Sequence, residues 1–160
     1  MVSVGVSKLG RTELVFVEPG VKINVYGAYY RDVLLKKQLL PTIRRISGDM
    51  FIFQQVNAPA HRARDTVEFL KRETQTLAFI GPDLWPPNSP DLNPVDYKVW
   101  ATMEQWLYQR NIHDIDELRE QLTATWHNLE QSIIDSAIDQ WRKRLTACVK
   151  AKGGHFEYQL

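Results

Sequence analysis

A single cysteine, Cys148, among 160 residues excludes an internal disulfide and predicts a reducing, intracellular setting. No apolar run approaches the ~18 residues that span a bilayer. Lys8 and Arg11 interrupt the start before a secretion-signal core could form, so a soluble chain with no membrane partner is expected. Neither charge sign dominates: 20 Lys and Arg against 19 Asp and Glu leave a net charge of +1. Any basic surface that meets nucleic acid must therefore be local. Repeats and low-complexity tracts are absent too, and nothing marks a domain boundary, which predicts a single domain over 1–160. What remains is an ordinary globular composition, 44% hydrophobic and 24% charged, with enough apolar side chains for a core.

Val2–Ser7 and Thr12–Val17 are short apolar segments flanking the turn Lys8-Leu9-Gly10-Arg11, the pattern of a β-hairpin. Glu18-Pro19-Gly20 closes it. Asn24 is placed to cap a helix in which Tyr26, Tyr29, Tyr30, Val33, Leu34 and Leu40 recur at helical spacing, until Pro41 breaks or kinks it. After the turn Ser47-Gly48-Asp49, Met50–Phe53 reads as a strand buried on both faces. Asn57 is expected to cap the next helix, with Ala60, Ala63, Val67 and Leu70 inward and His61, Arg64 and Asp65 on its polar side. Leu77–Ile80 is a second brief strand.

The stretch Trp85–Pro94, WPPNSPDLNP, predicts a stiff extended loop. It leads to a helix capped by Asn93 with Pro94 first, whose buried face is Val95, Val99, Met103 and Trp106. Asp114 with Glu117 opens another helix with the stripe Ile115, Leu118, Leu122, Trp126 and Leu129. Ser132 and Asp135 repeat that device for a last helix carrying Ile134, Ala137, Ile138, Trp141, Leu145 and Cys148, stopped by Gly153-Gly154 before a tail. Strands with interposed helices followed by helices alone indicate an α/β sheet with a helical C-terminal flank.

Three stretches are distinctive in combination: FQQVNAPAHRA at 53–63, WPPNSPDLNPVDYKVW at 85–100 and CVKAKGGHFEY at 148–158. In this order they resemble the catalytic domain of mariner-superfamily DDE/DDD transposases. That resemblance implies a ribonuclease-H-like mixed sheet, here lacking its first strand because the chain begins too late to contain it. The domain is then incomplete at its N-terminus. It also implies DNA as substrate, cut and rejoined at transposon ends with two divalent metals, normally Mg2+, and a nuclear location.

Two metals held a few ångströms apart need clustered carboxylates, because Mg2+ keeps its water shell unless several oxygens compete for it. By the resemblance, the third acid of the triad is Asp96, the candidate catalytic and metal-binding residue. The second falls 40 positions earlier at Val56, where the family pattern has aspartate and a hydrocarbon side chain has no lone pair. The first would lie on the missing strand. Asp49, Asp65 and Asp91 are not placed to substitute. A metal-dependent transposase or endonuclease with two of its three acids missing is expected to be inactive and to bind Mg2+ unstably.

Asp96 also has a second reading, since counting from Asn93 it is the third helical residue, where an acid meets the helix amino-terminus favourably. Val56 reads as a packed side chain at a strand end. The basic groups Arg44-Arg45, His61-Arg62-Ala63-Arg64, Lys71-Arg72 and Arg142-Lys143-Arg144 are solvated helix faces by default, with phosphate contact as the alternative. The five tryptophans fall mostly on apolar stripes, as core residues. Weak, non-specific DNA binding is one expected activity. A co-opted interaction module, with a homodimer or protein partner covering the gap left by the first strand, is the alternative.

Overall fold

The computed structural model describes residues 1–17, 27–74, 79–109 and 111–160. The expected cap Asn24, with Tyr26, the turn at Glu18-Pro19-Gly20 and Leu77, lies outside them. The chain forms two compact units, Met1–Gly5 with Leu9–Asn88 and Val6–Lys8 with Ser89–Leu160.

In the first unit, strand β1 (Val2–Ser3) pairs antiparallel with β4 (Val15–Phe16), Val2 opposite Phe16 and Ser3 opposite Val15. Two further two-residue strands, β2 (Val6–Ser7) and β3 (Gly10–Arg11), lie between them in sequence. The expected hairpin is present in shorter strands. Gly5 gives its N–H to the Thr12 hydroxyl at 2.8 Å, a side-chain partner that interrupts the regular ladder.

The first helix is built on an unusual period. Tyr30–Leu39 is a π-helical segment that runs directly into α1 (Leu40–Ser47). Its buried residues recur at five positions, Tyr30, Leu35 and Leu40 on one row and Leu34 and Leu39 on the next. Hydrogen bonds from i to i+5, such as Leu40 N–H to Leu35 C=O, keep those rows on one side of the coil. Pro41 does not break this helix. It falls in the first turn of α1, where the hydrogen-bond register changes and its missing N–H is not required.

β5 (Phe53–Gln54) pairs parallel with β6 (Phe79–Ile80), Phe53 beside Phe79. The preceding run is not buried on both faces as expected, for Met50 is 86% and Ile52 66% exposed. Alternation explains it: Phe53 points into the cluster of Tyr30, Leu34, Leu35, Leu40, Phe69 and Leu70, and Ile52 points the other way. α2 (Arg64–Glu73) buries Thr66, Phe69 and Leu70. Asn57 is too far upstream to cap it; Ala63 holds that position without a side-chain bond.

Helix 28–47 and the turn before α2 meet at Gly27. A Cβ there would stand 2.6 Å from the Ala60 carbonyl oxygen and 2.7 Å from Thr66 Oγ1, at φ +68°. The Thr66 hydroxyl already donates to Ala60 O at 3.0 Å.

In the second unit, Pro90–Leu92 is a 3-10 turn, and a π-helical segment, Val95–Trp100, continues as α3 (Ala101–Leu107). α4 (Ile115–Asn128) has the expected capping box: Glu117 N–H donates to Asp114 Oδ1 at 2.7 Å, and Glu117 Oε2 accepts from His113 N–H. Its stripe is only half used. Trp126 and Leu129 are buried, whereas Ile115 is 67% exposed and Leu118 lies at the surface. α5 (Gln131–Lys150) starts before Ser132, which sits inside the helix instead of capping it. It carries Gln131 to the Ser7 carbonyl and pairs Asp139 with Lys8. Gly153, at φ +80°, ends the α5 region. The segment beyond is no loose tail, because Phe156 is buried.

Gly27→Ala is expected to cost more than ~1 kcal/mol, read as a lower denaturation midpoint at unchanged slope. An unaltered midpoint would mean that the close approach at Ala60 and Thr66 is not required.

Candidate functional site

The strand end at β5 is held by a small polar network. Gln55 is buried, and its amide has to be satisfied. Tyr30 Oη donates to Gln55 Oε1 at 2.7 Å, while Gln55 Nε2 donates to the His61 carbonyl at 3.0 Å. The His61 ring stacks on Tyr30 with centroids 4.1 Å apart and an interplanar angle of 24°. Its Nδ1 lies 2.8 Å from the Val56 carbonyl oxygen, which can only accept, so Nδ1 carries a hydrogen. Each such bond contributes roughly 0.5–1.5 kcal/mol. Together they fix the 55–61 loop against the first helix.

His61 is therefore not on the polar face of a helix. It lies in the turn before α2, and burial pushes its pKa below the ordinary histidine value, outweighing the Val56 carbonyl, which pulls it upward. Tyr30, fully enclosed, has its phenol pushed well above the usual range by burial. Val56 is half-buried and presents only methyl groups at the point where the loop leaves the strand. Asn57 next to it donates from Nδ2 to the Pro82 carbonyl at 3.3 Å, and its buried Oδ1 has no partner among the described residues.

Asp96 stands in the second unit, at the start of the Val95–Trp100 segment. Asn93 caps this start as expected, accepting from Val95 N–H at 3.2 Å through Oδ1, while its carbonyl accepts from Asp96 and Tyr97 N–H. The Asn93 Nδ2 group then donates to Asp96 Oδ2 at 2.8 Å. The Asp96 carboxylate is thus bound to the cap residue's amide. Burial raises its pKa, and the Asn93 bond opposes that.

Could this donor set hold a divalent metal? Among the described residues, no three His, Cys, Asp or Glu side chains gather in a group able to do so. Asp65 lies 3.5 Å from Arg31, and Asp49 is exposed. One carboxylate with an amide neighbour does not meet the demand of Mg2+ for several oxygens. The set present does not fit a two-metal centre.

The basic clusters divide. Arg44 reaches Glu73, Arg64 reaches Glu68, and Arg31 reaches Asp32 and Asp65. Arg45, Arg62, Lys71, Arg142 and Lys143 are exposed, as the solvated-face reading expects. Arg144 is the exception: it is only 8% exposed. Its spacing from Ile134, Ala137 and Trp141 places it on the buried stripe, a signal hidden by its two charged neighbours.

The depressed pKa of His61 fixes a sign. The unfolded chain takes up this proton first, at about pH 6.5, so the stability it confers is full above that value and is lost as pH falls toward the folded pKa. His61→Phe keeps the ring on Tyr30 but removes the titration. Denaturant melts at successive pH values should show a shallower acid-side loss in the variant, and a cost of ~1 kcal/mol at pH 7 for the missing bond. Identical slopes would contradict the burial of a neutral imidazole.

The described chain has no helix long and apolar enough to cross a membrane. The sequence pattern of the family described as DDE superfamily endonuclease matches residues 10–119. The Tcb2 transposase of Caenorhabditis briggsae is 30% identical over 129 residues, covering 81% of this chain and 45% of that protein. The chain thus spans about half the length of the curated relative. The Mos1 transposase catalytic domain, solved with Raltegravir and Mg, superposes with a TM-score of 0.80 over 98% of this chain and 76% of that one, at 24% identity. The Mos1 paired-end complex with the left transposon end matches at 0.74, 26% identity, over 94% of this chain and 42% of that one. The first of these structures shows the fold, the ribonuclease-H-like architecture with its helical C-terminal flank, and the family pattern covers more than half of the sequence. The chain therefore belongs to the DDE superfamily endonucleases, among the transposases of the mariner type.

Proposed function

We propose that this chain is a transposase-derived domain in which DNA cleavage has been lost and weak, non-specific nucleic-acid binding is retained, with a nuclear location. The observation that carries this reading is Val56, a hydrocarbon at the strand end that leads into the 55–61 loop. Joining and cutting phosphodiesters in this family calls for an activated oxygen nucleophile and a stabilised leaving oxygen. Of the two expected positions that fall within this sequence, Asp96, bound to Asn93, is an acid and Val56 is not. Asp96 is accordingly assigned the helix-start role, with its catalytic and metal-binding role as what the family implies and this donor set does not support.

Exposed Arg45, Arg62, Lys71, Arg142 and Lys143 supply the local positive charge for phosphate contact, which positions nucleic acid without reading sequence. Net charge near zero keeps that binding weak. A second reading is favoured by one feature: Tyr108, Ile115 and Leu118 are exposed apolar residues around the start of α4. They suit a domain co-opted to bind a protein partner or a second copy of itself.

The experiment is incubation of supercoiled and linear duplex with the chain in Mg2+ or Mn2+, alongside titration of labelled duplex at several salt concentrations. The expected result is no nicking, and salt-sensitive binding with Kd on the order of 10⁻⁴–10⁻⁶ M. Val56→Asp alone should remain inactive. Metal-dependent nicking that Asp96→Ala abolishes would overturn the loss of cleavage, and no binding even at low salt would remove the nucleic-acid role.

A further inference from the structure

We propose that Arg144 is a positioning residue for the helix start that carries Asp96, and that the C-terminal turn acts on that start through it. One guanidinium of α5 joins three segments. Its NH1 donates to the Asp91 carbonyl at 2.9 Å and to Glu157 Oε1 at 3.0 Å. Its Cζ lies 3.8 Å from the centroid of the Tyr97 ring.

Those contacts fall on both sides of the Asp96 cap. Asp91 belongs to the 3-10 turn Pro90–Leu92, two residues before Asn93, and the Asn93 N–H returns to Pro90 O. Tyr97 follows Asp96 directly, and its hydroxyl donates to the Ala137 carbonyl, again on α5. The backbone ahead of the Asn93–Asp96 pair and the ring behind it are both fixed to one helix. With both ends held, the direction of the Asp96 carboxylate is set by the Asn93 amide.

Packing alone would not select this side chain. The stripe position between Trp141 and Ala147 would be filled more cheaply by an apolar residue, since burying a guanidinium costs free energy unless it is paired and hydrogen-bonded. Its Nε is indeed buried with no partner among the described residues, a cost that remains. What the arginine adds over a hydrocarbon is a planar set of donors that can meet a carbonyl, a carboxylate and a ring face at once. Glu157, 57% exposed at its side chain, supplies the counter-charge from the turn Glu157–Gln159, and buried Phe156 anchors that turn. The stretch GGHFEY thereby keeps the buried cation neutralised. Whether or not Asp96 takes part in chemistry, its placement depends on this clamp.

The test is amide hydrogen exchange by NMR on the full chain. Arg144→Met should speed exchange at Val95, Asp96 and Tyr97 by about tenfold or more, with Thr125 and Trp126 of α4 unchanged. It should also shift the Asn93 side-chain amide signal. Arg144→Lys, a point charge that cannot hold all three partners, should restore protection only in part. Glu157→Ala should act on the same three amides, more weakly. Unchanged exchange at Val95–Tyr97, or an equal rise at Thr125 and Trp126, would overturn the proposal by making Arg144 a general support of the fold. If Arg144→Met does not fold, Glu157→Ala alone decides between the same two outcomes.

Discussion

A polar group withdrawn from water costs about 1–3 kcal/mol unless it finds a partner, and each unit of this chain is ordered around a place where that demand is met. At the end of β5 the buried Gln55 amide is satisfied by Tyr30 and by the His61 carbonyl, and His61 returns to the Val56 carbonyl. At the Asp96 helix start, Asn93 satisfies the backbone with one side-chain atom and the carboxylate with the other. The apolar core accommodates these networks. The five-residue repeat of the first helix brings Tyr30 into register with Gln55 while Leu35 and Leu40 pack beneath it.

A site designed for two cations would direct oxygens into an open space and leave them there for the metals. Here one oxygen of Asp96 meets the Asn93 amide, while the buried Asn57 Oδ1 has no partner among the described residues. Asp96 is bonded to an amide, and the strand end offers methyl groups at Val56. On the function proposed above, the fold is retained while the cleavage chemistry is not.

Much of this was legible in the residues. The hairpin, the paired short strands, the Asp114 capping box and the Asn93-Pro94 helix start follow from local chemistry, and the three motifs identified the family. Other features were hidden because they depend on partners distant in sequence. Pro41 reads as a break until the change of hydrogen-bond register at Leu40 is known. Ile115 and Leu118 have the right spacing for a core that does not extend to them. His61 reads as a surface residue without Tyr30 to stack on, and Arg144 as one of three basic neighbours until Asp91, Tyr97 and Glu157 are seen around it.

Among the described residues no three acidic, histidine or cysteine side chains gather to hold a metal, and paramagnetic line broadening tests that most directly. Mn2+ titrated into the chain should broaden exposed acidic residues weakly and without saturation, leaving Val95–Tyr97 and Gln55–Asn57 no more affected than the rest. Selective, saturable broadening of either stretch at low metal concentration would contradict the account, for it would mean that a cation finds ligands there.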